Sequence, residues 1–148
     1  MIVGVGGQGT LLASRILGNT VINEGYDVKV SEVHGMSQRG GSVVTYVRFG
    51  DEVYSPVIGK GDADVILSFE LLEAARWLPN LKNGGTIVTS TQQINPMPVI
   101  TGRMEYPADV LDRLAADGAG ELDLLLLAVK ADVNLSGKFL ARLPDELI

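Results

Sequence analysis

The 148-residue chain has the size of one ordinary domain, and at 46% hydrophobic and 20% charged residues it can bury a core rather than remain disordered. A net charge of −6, with a pI near 4.7, excludes the clustered basic footprint of a nucleic-acid binder. Having no cysteine, the chain excludes disulfides, thiolate zinc sites and any cysteine-held iron–sulfur cluster of its own.

No apolar run approaches the roughly 18–20 residues that span a bilayer, and "MIVGVGGQG" is neither basic nor long enough for a signal peptide. The expectation is a single cytoplasmic domain over residues 1–148. "IVGV" at 2–5 is a β-branched run ending in glycines, as buried parallel strands do. "TLLASRILGNTVINEG" follows, with apolar residues at 12, 13, 16, 17 and 21 in helical spacing and Gly25 as a C-terminal cap. "YDVKVSEV" alternates like a second strand. Strand, glycine turn, helix and strand predict a βαβ unit and a parallel strand pair.

In "SVVTYVRFGDEVYSPVI" two β-rich runs flank "GDE", which predicts a β-hairpin. "GKGDADVILSF" reads as a loop and a buried strand, "ELLEAARWLPNL" as a helix with Pro79 near its end, and "NGGTIVTST" as a turn into a strand. "NPMPVITG", with two prolines, reads as an extended connection. "YPADVLDRLAADG" reads as a helix, opened by Pro107, with apolar residues at 110, 111 and 114 and closed by Gly118. "ELDLLLLAV" fits a buried strand or part of a helix, and "LSGKFLARLPDELI" a terminal helix. Alternating strands and helices predict an α/β fold: a three-layer Rossmann-like sandwich with a mainly parallel sheet and one β-hairpin.

Two stretches carry chemistry. In "GVGGQGT", Gly4, Gly6 and Gly9 satisfy G-x-G-x-x-G between a strand and a helix, where a helix N-terminus offers free N–H donors to an anion. Glu32, 23 residues beyond Gly9, stands where a ribose contact would lie in a dinucleotide fold. The plain alternative is that the glycines only allow close strand–helix packing. Gln8 either binds a ligand or fills the space that a pyrophosphate needs.

The second stretch, "SEVHGMSQRGG", holds the only histidine, His34, and should emerge at the carboxyl edge of the sheet beside the first loop. Arg39 is a permanent planar cation suited to phosphate or carboxylate. Gly40 and Gly41 free backbone N–H groups for the same anion, and Ser37 and Gln38 add neutral hydrogen-bonding groups. His34 lacks a nucleophile–acid arrangement and reads as structural rather than catalytic. No His and acid spacing suggests a metal site. Asp62 and Asp64 read as turn caps, Glu70 and Glu73 as the wet face of a helix, and Asp112, Asp117, Glu121 and Asp123 as surface charges. Phe69 and Trp77 read as core or subunit contacts.

"GVGGQGTLLASRILG" at 4–18 together with "SEVHGMSQRGGSVVTYVRFG" at 31–50 resembles the gamma subunit or domain of the 2-oxoacid:ferredoxin oxidoreductases. Within that family it resembles most the small (beta) subunits acting on indolepyruvate. "DADVILSFELLEAARWLPNLKNGGTIVTST" and "INPMPVITGRMEYP" fit the same pattern, so the likeness covers about residues 2–117; beyond 118 the chain departs from it. The resemblance implies a subunit of an enzyme that oxidatively decarboxylates a 2-oxoacid to an acyl-CoA while reducing ferredoxin. It also implies that thiamine diphosphate and the iron–sulfur clusters sit on the large (alpha) partner subunit, and that this chain is inactive alone. Gly6, Gly7, Gln8, Gly9 and Thr10 would form one wall of a coenzyme A site. His34, Gly35, Ser37, Gln38, Arg39, Gly40 and Gly41 would form the other. The alternatives are a stand-alone dinucleotide-binding oxidoreductase and a purely structural interaction subunit.

Overall fold

The computed structural model describes residues 1–34 and 40–117, with His34 and Asp117 by backbone alone. β1 (Ile2–Val5) is buried along its whole length. Gly7 and Gly9, at φ 100° and 91°, turn the chain from it into α1 (Thr10–Asn23). Positive φ is open to glycine without the steric cost that a Cβ carries. Gly25, at φ 94°, follows the helix end as expected of a C-terminal cap. The remaining elements are β2 (Asp27–His34), β3 (Ser42–Gly50), β4 (Ala63–Ser68), α2 (Leu71–Trp77), β5 (Leu81–Thr89), α3 (Met97–Ile100) and α4 (Val110–Asp117). Pro79 lies in a single 3₁₀ turn, Leu78–Asn80, that finishes α2.

The strands are ordered β2-β3-β1-β4-β5. β1 pairs with β4 and β4 with β5 in parallel, whereas β3 runs antiparallel to both β1 and β2. Four strands therefore share one direction, but the sheet is mixed, and the mainly parallel expectation holds only in part. β1 and β2 are not the paired strands expected of a βαβ unit, because β3 is inserted between them. The hairpin expected around Gly50–Glu52 is also displaced. β3 already has a partner on each side, so no edge remains for the segment after it. The hairpin is β2–β3, with residues 35–41 between its arms, and the segment after β3 is tied down by Val53 N–H donating to Asp27 Oδ2 at 2.9 Å.

Helices cover both faces, as the three-layer expectation requires. Strand residues alternate between faces, so Val3, Val44, Ile66 and Ile87 meet Leu71 and Ala74 of α2 and Val110 and Leu114 of α4 in one cluster. On the other face Gly18 of α1 stands against Val28 and Val30 of β2. Of the apolar residues in helical spacing along α1, Val21 alone is buried. Thr10, Ser14, Gly18 and Val21 are buried, while Leu12 and Ile16 are 63% and 57% exposed. The strands supply the bulk here, so the helix approaches through small residues. "NPMPVITG" is not extended: Pro96 leads into the single turn of α3, and Gly102 at φ 70° ends it.

Glu70 and Glu73 do not form the wet face of a helix. They are 1% and 4% exposed. Glu70 caps α2, its Oε2 accepting Glu73 N–H at 2.8 Å. Its Oε1 accepts Ile94 N–H at 3.1 Å and the Tyr106 hydroxyl at 2.6 Å. A buried carboxylate is tolerated when donors replace the lost water, and three do so here. Asp62, by contrast, caps its turn as expected, accepting Gly59 N–H at 3.2 Å, and Asp112 is exposed.

Tyr106→Phe removes one donor to a buried carboxylate while keeping the ring. It should lower stability by about 1–3 kcal/mol in urea unfolding of the full chain. Burial, and after it the hydrogen bond and charge of Glu70, hold the Tyr106 pKa well above the ordinary tyrosine value of 10.0. A raised folded pKa means that this contribution is intact below pH about 10 and is lost as pH rises beyond it. Urea titrations from pH 8 to 11 should therefore show a steeper alkaline decline for the native chain than for Tyr106→Phe.

Candidate functional site

The chain leaves β1 toward β2 on one side of the sheet, while the parallel neighbour β4 leads to β5 on the other side. The carboxyl ends of β1 and β4 therefore form the crevice where open α/β sheets usually hold a ligand. The Gly6–Gly9 loop opens at this edge. Gly7 and Gly9 are exposed, and Gly6 is half-buried. Because β3 runs antiparallel to β1, with Val5 opposite Ser42, the segment ahead of β3 arrives at the same edge. Gly6 N–H donates to Gly41 O at 2.9 Å, so the two glycine-rich segments meet. Gly40, at φ 80°, is exposed beside them.

Gln8 fills the crevice with its own side chain. Its Oε1 accepts Val5 N–H at 2.7 Å, and its Nε2 donates to Phe69 O at 3.0 Å and to Gln92 Oε1 at 3.1 Å. The amide thus stitches the ends of β1 and β4 to the segment after β5. A methyl group added at Gly4 would lie 2.9 Å from Gln8 Oε1, so glycine at position 4 makes room for this amide. The Gln8 amide is thus engaged with three groups of the protein itself. Glu32 loses its expected place. It lies on the edge strand, two strand spacings or about 10 Å from β1, because β3 intervenes.

Thr10 is buried, with its methyl group facing Gly4, which leaves its backbone rather than its side chain for the crevice. Gly9 caps α1 with no side-chain hydrogen bond, and the first turn of α1 contains no acid to compete for the helix N-terminus. His34 closes β2 opposite Val43. Gly35, Ser37, Gln38 and Arg39 lie outside the described residues.

Four further residues stand at this edge: Glu70 and Glu73, expected on a wet helix face, and Gln92 and Tyr106, for which the sequence suggested no role. A signal existed for the first two. An acid directly after a strand, followed three residues later by a second acid, has the spacing of an N-cap and the N3 position that bonds to it. Glu73 is buried beside Ser42, whose hydroxyl donates to Glu73 Oε2 at 2.5 Å, and Arg76 Nε donates to Oε1 at 3.0 Å. Among the described residues no group of three His, Asp or Glu side chains is arranged to hold a metal ion, and no helix is long and apolar enough to cross a membrane. A hollow of about 170 Å³ lined by Ile2, Leu17, Val47 and Leu67 opens beside Met1, at the amino end of β1 and away from the glycine loops.

Residues 1–132 match the family model described as pyruvate ferredoxin/flavodoxin oxidoreductase. The chain is 53% identical over 108 residues to the indolepyruvate oxidoreductase subunit IorB of Pyrococcus horikoshii, a match that covers 73% of this chain and 54% of that protein. It is 48% identical over 121 residues to the subunit of the same name from Thermococcus kodakarensis, covering 81% of this chain and 60% of that one. It therefore spans between half and two thirds of the length of these relatives. The crystal structure of pyruvate oxidoreductase subunit PORC from Thermotoga maritima superposes with a TM-score of 0.51 at 20% identity, covering 71% of this chain and 55% of that one, a likeness of fold alone. On the extent of the family match, the chain belongs to the pyruvate ferredoxin/flavodoxin oxidoreductase family.

Proposed function

We propose that this chain acts as small subunit of a 2-oxoacid:ferredoxin oxidoreductase acting on indolepyruvate or another aryl pyruvate. In this reading it is a cytoplasmic protein, inactive alone, and it helps to enclose the coenzyme A and substrate site on a large partner subunit. Thiamine diphosphate and the iron–sulfur clusters belong to that partner and supply the decarboxylation and electron-transfer chemistry; this chain has no cysteine with which to ligate a cluster. The observation that carries the proposal is the meeting of Gly6 with Gly41 at the carboxyl edge. Two glycine-rich segments without side chains converge there on a helix N-terminus that has no side-chain cap and no acid in its first turn.

The residues have separate tasks. Backbone N–H groups of Gly7, Gly9 and Thr10 face a phosphate from one side, and those of Gly40 and Gly41 from the other. Arg39 adds the permanent charge that makes such a hydrogen bond strong. Gln8 does not bind the acceptor in this scheme. Its amide is committed to Val5, Phe69 and Gln92, and it keeps the crevice closed to a dinucleotide pyrophosphate.

In the complex reconstituted with the large subunit, Arg39→Ala should raise the apparent KM for coenzyme A about tenfold, the equivalent of roughly 1.4 kcal/mol. Unchanged affinity and turnover would remove Arg39 from this role. Weaker assembly with unchanged kinetics of the remaining complex would favour the purely structural seam. Titration of the isolated chain with nicotinamide and flavin dinucleotides should show no stoichiometric binding by fluorescence or calorimetry. Tight binding of either would return the stand-alone enzyme as the better reading.

A further inference from the structure

Glu73 sits on a seven-residue helix between core residues, 4% exposed, with Leu71 and Ala74 packed into the main cluster beside it. A leucine at this position would join that cluster without desolvating a charge. What the carboxylate adds is therefore its bonds. One goes to Arg76, itself half-exposed. The other, from the Ser42 hydroxyl at 2.5 Å, reaches the first residue of β3, immediately after Gly40 and Gly41.

Gly40 and Gly41 have no side chains with which to fix themselves, and Gly40 adopts a conformation that is broadly accessible only to glycine. Among the described residues the β1–β3 ladder brings Ser42 opposite Val5, and two further bonds set the position of the two glycines from outside. Gly41 O accepts Gly6 N–H at 2.9 Å, and Ser42 is held by Glu73. The line from α2 through Glu73, Ser42 and Gly41 to Gly6 thus fixes the spacing between the two glycine segments.

From this geometry we infer that Glu73 is a positioning residue. Acting through Ser42, it holds Gly40–Gly41 against the Gly6–Gly9 loop, and so governs affinity for the phosphate-bearing acceptor rather than for the 2-oxoacid. The inference rests on the proposed coenzyme A reading of this edge. It assigns to an acid of α2 a role that the loop residues cannot fill themselves.

The test uses the full complex with the large subunit, isolated intact by size-exclusion chromatography. Ser42→Ala should raise the apparent KM for coenzyme A roughly five- to tenfold, the effect of one charge-assisted hydrogen bond, with kcat and the KM for the 2-oxoacid within about twofold. Ser42→Thr, which keeps the hydroxyl, and Glu73→Gln, which keeps an acceptor, should restore most of the affinity. Should Ser42→Ala fail to assemble, Glu73→Leu fills the core without the acceptor and should give the same selective rise. An unchanged KM for coenzyme A in these variants, with Arg39→Ala still raising it, overturns the positioning role and leaves the proposed function standing. A parallel loss of kcat and of affinity for both substrates overturns it in favour of general structural support. If Arg39→Ala and Ser42→Ala both leave coenzyme A affinity unchanged, the proposed function and this inference fall together.

Discussion

Taking a carboxylate out of water costs several kcal/mol unless hydrogen-bond donors replace the solvent. The first turn of α2 does this twice, at Glu70 and Glu73. Each acid faces a different neighbour. Glu70 gathers Ile94 and Tyr106 from the connection after β5, and Glu73 gathers Ser42 from the start of β3. Both segments must therefore come to the carboxyl end of β4 for the charges to be satisfied. A helix of only seven residues is too short to be stable alone. It is held by these bonds and by the burial of Leu71 and Ala74, and in return it fixes the rim of the crevice.

The crevice is closed from the other side by Gln8, whose amide uses an acceptor and a donor at once. Oε1 satisfies the Val5 N–H at the end of β1, and Nε2 reaches Phe69 O at the end of β4. In a dinucleotide fold a glycine loop leaves this space to a pyrophosphate. Here the same loop geometry serves a different end. The backbone still turns tightly at Gly7 and Gly9, but the space under the turn is taken by the Gln8 amide, and Gly40 and Gly41 arrive at the outer rim.

Local signals made much of this legible in the sequence. The glycine-flanked strand at 2–5, the helix beginning at Thr10, the strands near 27–34 and 63–68 and the helix opened near Pro107 stand close to where periodicity and capping residues put them. What the sequence could not show was pairing, because pairing is non-local. Nothing in "SVVTYVRFG" states that it will separate β1 from β2, and once it does, "EVYSPVI" has no strand edge to join. The buried face of α1 departs from its apolar spacing for a related reason. Hydrophobic periodicity picks out Leu12 and Ile16, whereas the valines of β2 already fill the interface and demand Ser14 and Gly18 there. The adjacency of the two glycine segments was legible, because it follows from both arriving at the carboxyl edge. The acids that hold that edge were not, because a buried Glu looks like a surface Glu until its donors are known.

That contrast bears on how the chain's charges divide. With an overall charge of −6, the anion-receiving rim proposed above would have to be insulated from the protein's own acids. Glu70 and Glu73 belong to this edge, yet both are buried. Glu70 is surrounded by two N–H groups and a hydroxyl, and Glu73 is matched by Arg76. Their field at the rim is weakened by these dipoles and by the guanidinium, while the N-terminus of α1 carries no acid in its first turn. In the proposed function the acids can therefore serve as anchors a few residues from the surface that would face a phosphate, without repelling it.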